Sequence, residues 1–214
     1  MGIPVFILGK SGSGKSASLR NFIPDEVGVL NVASKPLPFR HGNKFKIVNG
    51  AGYATIVKVL KNPTLKTYII DDSQYLMAFD SFARAGQKGY DKFTEMAVNF
   101  YNMLQFIIKQ TPPDVIVYLL HHTEETESGE TKAKTIGKML DQQLTIEGLV
   151  SIVLMTSIKD GKYYFITRND GHNSVKTPMD MFDSELIDND LKMVDTAIRE
   201  YYGLNNKEEE TKNE

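Results

Sequence analysis

The sequence contains no cysteine, which excludes disulfide bonds, thiolate metal ligands and a cysteine nucleophile. It also has no apolar run of membrane-spanning length, and it begins with a strand-like segment rather than with the regions of a signal peptide. We therefore expect a cytoplasmic protein without a membrane partner. Positive charge is scarce as well, because 25 lysines and arginines stand against 27 aspartates and glutamates, for a net charge of -2. The chain thus lacks a general basic field for nucleic acid, and any DNA contact must come from local loops.

Apolar runs and helix-like segments alternate along the 214 residues, of which 41% are hydrophobic. Short apolar runs typical of buried parallel strands occur at residues 3–9, 26–34, 65–72, 114–122 and 149–157. Helices are predicted at residues 15–22, 51–62, 93–110, 139–148 and 188–202. An Asp-Gly pair within residues 159–162 predicts a β-hairpin ahead of the last helix. The pattern predicts one α/β domain over residues 1–204, with a mostly parallel sheet flanked by helices, and a flexible charged tail over residues 205–214.

The stretch GKSGSGKS, residues 9–16, follows the first predicted strand and precedes the first predicted helix. Gly9, Gly14, Lys15 and Ser16 fill the pattern G-x-x-x-x-G-K-S/T of a phosphate loop, which wraps around the phosphates of a nucleoside triphosphate. In this pattern the glycines let backbone N–H groups face the phosphates, Lys15 neutralises the β- and γ-phosphates, and the Ser16 hydroxyl coordinates Mg²⁺. The nucleotide-binding residues predicted in this way are Gly9, Lys10, Ser11, Gly12, Ser13, Gly14, Lys15, Ser16 and Ala17.

Two carboxylates end the strand-like run TYIIDD, residues 67–72. Asp71 ends a buried strand and is the predicted Mg²⁺ ligand. The adjacent Asp72 is the candidate to orient or deprotonate the attacking water, which makes it a catalytic candidate together with Lys15. The alternative role for Asp72 is that of a helix N-terminal carboxylate ahead of the segment SQYLMAF.

Two histidines, His121 and His122, end the predicted strand at residues 114–122. The carboxyl ends of parallel strands face the ligand, so a histidine there is placed to donate a hydrogen bond to the γ-phosphate. Because side chains alternate along a strand, only one of the two faces the nucleotide. Both stay catalytic candidates, since the sequence leaves open which one it is.

The order of these parts resembles the core of RecA-like ATPases: phosphate loop, acidic strand, polar loop, long helix, strand with a polar sensor, second polar loop, helix, strand and hairpin. More narrowly, the chain is similar to short phage-encoded RecA-like ATPases of the AAA-type nucleotide-binding group, some of which act in single-strand annealing or recombination. The segments IIDD, KTIGK and VKTPMDMF carry this narrower resemblance. It implies an ATP-binding and ATP-hydrolysing protein in the host cytoplasm that handles single-stranded DNA as a ring or filament. A phage single-strand-binding protein is a further implied partner.

The resemblance implies two DNA-contacting loops, at residues 84–92 and 123–138. In the first, Arg84 and Lys88 supply charge for phosphates and Tyr90 supplies a ring that stacks on bases. In the second, four glutamates precede the lysines and oppose DNA binding unless they point away. The candidates to contact DNA, or to reach a phosphate from a neighbouring subunit, are Lys132, Lys134, Lys138 and Lys176.

One position departs from the RecA-like pattern. Such enzymes commonly carry a catalytic glutamate after the second strand, where this chain has Ser34 and Lys35. Either Asp72 takes that role, or hydrolysis is slow and the nucleotide acts mainly as a switch. Other classes stay open: a replication or packaging accessory ATPase similar to helicase loaders, a small-molecule kinase, for which five scattered arginines make a poor lid, and a non-hydrolysing interaction module.

Overall fold

The structure is a computed structural model that describes residues 1–89, 91–137 and 139–204, with the backbone alone at residues 141 and 142. Within these residues, helices cover both faces of a mostly parallel sheet, which confirms the predicted α/β class. The predictions for Tyr90, Lys138 and residues 205–214 lie outside the described residues. No helix in the described ranges combines the length and the apolar character needed to cross a membrane.

The elements follow one another along the chain largely as strands alternating with helices. The strands of the described residues are β1 (Ile3–Leu8), β2 (Val27–Asn31), β3 (Lys46–Asn49), β4 (Thr67–Asp71), β5 (Ile116–His121), β6 (Thr123–Glu125), β7 (Thr131–Ala133), β8 (Ile152–Lys159), β9 (Lys162–Ile166) and β10 (Leu186–Asp188). The α-helices are α1 (Tyr53–Lys61), α2 (Gln74–Ala83), α3 (Asp91–Gln110) and α4 (Leu191–Tyr201). Shorter helical turns lie at Ser16–Asn21, Gly42–Lys44, Met139–Gln143 and Ile146–Leu149.

The central sheet brings the ends of β1, β4 and β5 together. In the described residues its order is β10-β9-β8-β1-β5-β4-β2-β3, and the strands from β8 to β3 are parallel, while β9 and β10 extend one edge antiparallel. β5 lies between β1 and β4. Its His121 pairs with Leu8 of β1, and its Leu119 pairs with Ile70 of β4. The phosphate loop after β1, the histidines of β5 and the aspartates of β4 therefore meet at one edge of the sheet.

The central strands are continuous apolar runs because both of their faces are buried. In β5, Val117 and Leu119 belong to the core on the face covered by α1, α2 and α3, and Tyr118 belongs to the core on the face covered by α4 and the turn Ser16–Asn21. Full burial of one such side chain contributes about 1.5–3 kcal/mol to folding. The sheet under the phosphate loop is thus held from both faces.

Two helix predictions are wrong in their details. The α-helix predicted at residues 15–22 is a 3₁₀ turn over Ser16–Asn21, since Phe22 is extended and Pro24 follows closely, which leaves no room for further helical turns. The helix predicted at residues 139–148 is divided into two short turns, because the backbone of Thr145 is extended between them.

The two polar segments predicted as loops contain regular structure. Residues 123–138 include the antiparallel pair β6–β7, whose three-residue strands are too short to show a periodic pattern. The loop predicted at residues 84–92 begins directly after α2, and its residues 91 and 92 already belong to α3. The short strands β3 and β10 were not predicted either, since they lie at the exposed edges of the sheet. The hairpin at Asp160 and Gly161 is confirmed, with φ of 52° and 72° in a tight turn between β8 and β9.

Candidate nucleotide-binding site

The phosphate loop leaves the end of β1 and is supported by β5 and β8. The Gly9 N–H donates a hydrogen bond to the carbonyl oxygen of His121 at 3.1 Å. A Cβ on Gly9 would lie 1.9 Å from Thr156 Oγ1, so only glycine fits there. Gly14 has a φ of +98°, and a Cβ on it would lie 2.9 Å from Tyr163 Cδ1. Close packing below the loop and a left-handed backbone within it thus account for two glycines of the motif.

Lys15 is folded back over the loop. Its Nζ donates hydrogen bonds to the carbonyl oxygens of Gly9 at 2.8 Å and Lys10 at 2.9 Å, and the residue is buried. Burial lowers the pKa of Lys15 to about 8, although the negative charges of Asp72 and Asp71 oppose the shift. These contacts hold a cation at the loop, where the pattern requires one for phosphate.

Ser16 and Asp71 meet although they are distant in the sequence. Ser16 Oγ donates a hydrogen bond to Asp71 Oδ1 at 2.8 Å, and Asp71 is buried at the end of β4. Burial and the charge of Asp72 raise the pKa of Asp71, against the opposing effects of the Ser16 hydrogen bond and of Lys35 and Lys15. Mg²⁺ prefers such hard oxygen ligands and completes its shell with phosphate oxygens and water, so this pair fits the ion. In the described part of the chain, no group of three or more histidine, cysteine, aspartate or glutamate side chains is arranged to hold a metal ion.

Asp72 follows β4 in a left-handed conformation, with a φ of 59°. This conformation is strained for a residue other than glycine and is concentrated at functional sites. Lys35 Nζ lies 2.5 Å from its Oδ2, and His122 Nε2 lies 3.2 Å from its Oδ1. Burial acts to raise the pKa of Asp72, but the contacts with His122 and Lys35 outweigh it and lower the pKa. The carboxylate is therefore ionised at neutral pH, two residues ahead of α2, a position compatible with both roles considered for it.

Strand alternation separates the two histidines. His122 lies just beyond β5 and lines the cavity beside the phosphate loop, with its ring 5.3 Å from that of Tyr75. His121 is 0% exposed and belongs to the opposite side, where the rings of Phe6 and Phe100 meet it edge-on. The geometry thus places His122, and not His121, on the side of the cavity beside the phosphate loop.

The buried ring of His121 has a partner at each nitrogen. Its Nε2 lies 2.9 Å from the carbonyl oxygen of Lys134, which can only accept, so Nε2 carries the proton. Its Nδ1 lies 2.9 Å from the Ser73 hydroxyl, which also lies 3.1 Å from the carbonyl oxygen of Leu120. Burial lowers the pKa of His121 to about 3, and this residue is a neutral link between α2, β5 and the segment after β7.

A cavity of about 780 Å³ opens above the phosphate loop. Ligand sites commonly have volumes of about 300–1,000 Å³. Part of its lining comes from the loop and the turn after it, namely Ser11, Gly12, Gly14, Lys15, Ser16 and Ala17. Ser13 supports the loop instead, since its hydroxyl donates to the Lys10 carbonyl oxygen at 2.7 Å and accepts from Thr156 at 2.6 Å. The Lys10 side chain pairs with Glu125 of β6 at 2.7 Å.

Several lining residues were not predicted from the sequence. Lys35 follows the end of β2 and lines the cavity. Its place after a predicted parallel strand could have indicated a role at the site, because the carboxyl ends of such strands face the ligand. Tyr163 and Asn189 reach the cavity through β9 and β10, and no motif surrounds them. Arg20 also lines the cavity, but its guanidinium donates to backbone carbonyl oxygens at 2.6 and 3.2 Å.

The cations predicted for DNA in the first polar loop differ in their surroundings. Arg84 donates a hydrogen bond to Asp80 at 2.6 Å and also pairs with Glu95. Two carboxylates therefore offset its charge. Lys88 is exposed between α2 and α3.

The remaining candidate cations of the described residues, two in the second polar loop and Lys176 beyond it, also differ in their surroundings. Lys132 lies 3.6 Å from Glu124 across the β6–β7 pair. Lys134 is exposed and borders a smaller cavity beside His122. Lys176 is half-buried, and its backbone pairs with β8. The surface around these residues carries both signs of charge.

The sequence-predicted residues that meet at this edge of the sheet are Lys15, Ser16, Asp71, Asp72 and His122. In the described ranges, the cations proposed for DNA or a neighbouring subunit lie away from the cavity lining, namely Arg84, Lys88, Lys132, Lys134 and Lys176. The chain matches no model of a known protein family and no curated protein.

Proposed function

We propose that this protein binds and hydrolyses ATP and acts as an oligomer on single-stranded DNA, in the manner of the phage-encoded RecA-like ATPases that its sequence resembles. The observation that carries the nucleotide part is the hydrogen bond of 2.8 Å from Ser16 Oγ to Asp71 Oδ1. It joins the end of the phosphate loop to the end of the acidic strand. These are the two oxygen ligands that phosphate-loop NTPases use for Mg²⁺.

Lys15 supplies the positive charge for the phosphates. Its ammonium is buried, so its attraction to a phosphate is less screened than it would be in water. Ser16 and Asp71 are the residues that would hold Mg²⁺, which, when bound, neutralises charge on the β- and γ-phosphate oxygens. Release of Lys15 from the carbonyl oxygens of Gly9 and Lys10 accompanies its turn toward the phosphates in this proposal.

Asp72 orients the attacking water in the proposed reaction. Its lowered pKa keeps it ionised, so that it accepts a hydrogen bond from water. Lys35 and His122 contact its two oxygens. A carboxylate with a lowered pKa is a weak base, and positioning is therefore its main contribution. Slow turnover is the consequence, in agreement with Ser34 and Lys35 standing where RecA-like enzymes commonly have a glutamate.

The DNA and oligomer parts of the proposal rest on exposed cations and on the resemblance. Lys88 and Lys134 are exposed, whereas carboxylates hold Arg84. Arg20 lines the cavity, but its guanidinium is bound to backbone carbonyl oxygens. In an oligomer assembled around the nucleotide, a cation from a neighbouring subunit would supplement Lys15 at the γ-phosphate.

ATP hydrolysis with Mg²⁺, measured with and without single-stranded DNA, tests the proposal. We expect slow turnover that DNA stimulates at low salt, and the stimulation should decline as salt rises. Lys15→Ala should abolish ATP binding and turnover. Lys58→Ala removes an exposed lysine of α1 and is the matched control, which should leave both unchanged.

Separate outcomes contradict separate parts of the proposal. ATP affinity that survives Lys15→Ala would refute the role of the phosphate loop. Turnover that ignores single-stranded DNA at low salt would refute the DNA part. Turnover that depends on a small phosphate acceptor would indicate a kinase.

A further inference from the structure

β9 and β10 form the end of the cavity that lies away from Asp72. They stand two and three strands beyond β1, on the side opposite to β5 and β4. With strands about 4.8 Å apart, β9 and β4 are about 19 Å apart along the sheet edge. The cavity reaches from Asp72 to β9, so a nucleotide whose γ-phosphate lies near Asp72 has room to extend its nucleoside toward β9.

Asn189, between β10 and α4, has an amide that is buried against the cavity. The residue is 2% exposed, and its Nδ2 has no hydrogen-bond partner among the described residues. The backbone of Asn189 already has partners. Its N–H donates to the carbonyl oxygen of Tyr163 at 3.2 Å, and its carbonyl oxygen accepts from the Arg20 guanidinium at 2.6 Å. The amide atoms lie 3.2 and 3.3 Å from the place of a Cβ on Gly14, beside the phosphate loop. Proteins seldom bury an amide donor without an acceptor, and a ligand in the cavity supplies one.

Tyr163 presents an aromatic face at the same place. It is 47% exposed and lines the cavity, and its ring rests against the backbone of Gly14. Aromatic side chains bind nucleobases by stacking, because every base has a π-face. An uncharged ring beside the phosphate loop suits a base and not a phosphate.

We propose that Tyr163 and Asn189 form the nucleobase subsite of this cavity. Tyr163 stacks on the base, and Asn189 Nδ2 donates a hydrogen bond to an acceptor on the edge of the base. Asn189 is therefore the residue that distinguishes one nucleotide from another. This inference rests on the proposed function, since it takes a nucleotide as the occupant of the cavity.

The turn Ser16–Asn21 holds this subsite at a fixed distance from the phosphate loop. Arg20 donates to the Asn189 carbonyl oxygen, and Asn21 Nδ2 donates to Asp190 Oδ2 at 2.7 Å. Asp190 in turn caps α4 by accepting from the backbone at the start of that helix. The phosphate and base ends of the cavity are thus anchored to the same short segment.

Competition binding with two probes separates the subsite from the phosphate loop. ATP carries phosphates and a base, whereas inorganic tripolyphosphate carries phosphates alone. We expect Tyr163→Ala to weaken ATP binding about tenfold or more and Asn189→Ala about three- to tenfold, with tripolyphosphate affinity unchanged. In the wild type ATP, GTP and CTP should differ in affinity, and Asn189→Ala should reduce that difference. Tyr201→Ala removes an exposed tyrosine of α4 and should change none of these values.

Two further variants, Tyr163→Phe and Tyr163→Leu, distinguish the loss of the aromatic ring from a loss of folding. The first keeps the ring and should retain ATP affinity, and the second keeps much of the volume without the ring and should lose it. Unchanged ATP affinity in both alanine variants, or an equal loss of ATP and tripolyphosphate, would overturn the subsite while the phosphate loop stands. A wild-type protein that binds neither probe would overturn the proposed function as well.

Discussion

Acid should destabilise this protein through His121, which the structure holds neutral. Burial lowers the pKa of His121 to about 3 from an ordinary value of 6.5. Both ring nitrogens already have partners, Nε2 at the Lys134 carbonyl oxygen and Nδ1 at the Ser73 hydroxyl. Between these two pKa values the unfolded chain binds a proton that the folded chain does not. The free energy of unfolding therefore falls as the pH falls.

The size of this effect follows from the two pKa values. At about pH 7.5 the histidine is neutral in both states and contributes almost nothing. At about pH 5 the unfolded histidine is nearly fully protonated and the folded one is not, which lowers the free energy of unfolding by about 2 kcal/mol. A domain is stable by about 5–15 kcal/mol in total, so this loss is measurable.

Urea unfolding followed by circular dichroism, at both pH values, tests this expectation. His121→Gln cannot take up a proton but retains a donor and an acceptor. The variant should be less stable than the wild type at about pH 7.5, and the difference should shrink by about 2 kcal/mol at about pH 5. His172→Gln alters an exposed histidine and should keep the wild-type pH dependence. Parallel pH dependence in the wild type and His121→Gln would refute the assignment of a neutral, buried ring.

Three further predictions concern the nucleotide site. Asp72→Asn should leave ATP affinity within about threefold of the wild type and lower the rate of single-turnover hydrolysis about a hundredfold, because the carboxylate acts on the attacking water and not on ATP binding. Normal turnover in this variant would leave Asp72 only the role of a helix N-terminal carboxylate ahead of α2. Gly9→Ala puts a Cβ 1.9 Å from Thr156 Oγ1, so urea unfolding should show a loss of about 1–3 kcal/mol, together with weaker ATP binding. Unchanged stability would contradict the packing below the loop. Lys35→Ala removes one cause of the lowered pKa of Asp72, so the acid limb of the pH–rate profile should move to higher pH. An acid limb at the wild-type pH would argue against the contact between Lys35 and Asp72.

The meeting of residues 9–16 with the end of the acidic strand could be predicted because the signals of both segments are local. Residues 9–16 form a contiguous motif, and Asp71 ends an unbroken apolar run. The rule that parallel strands end at one edge then places them together, as the contact between Ser16 and Asp71 bears out. The choice between His121 and His122 depends on the residue at which β5 ends. A continuous apolar run does not show where a strand ends, so the sequence could not decide it.

The features that could not be predicted depend on contacts between distant segments. Tyr163 and Asn189 reach the cavity only because β9 and β10 continue the sheet beyond β8. Lys35 meets Asp72 because β2 and β4 are neighbours, a pairing that the sequence pattern leaves undefined. The strands β6 and β7 are three residues long, so that hydrophobic periodicity carries no information about them.

The central position of β1 has a consequence for how this chain folds during synthesis. Ile3 pairs with Ile116 of β5, and Val5 pairs with Ile152 of β8, so β1 has partners that the ribosome makes much later than β1 itself. Pairings between residues so distant in sequence slow folding, because the intervening chain must be ordered before they form. The phosphate loop, whose support includes β5 and β8, therefore takes its shape late, after most of the domain has been made. A ligand that binds only the completed loop would favour this last folding step by mass action, because it stabilises the folded state alone.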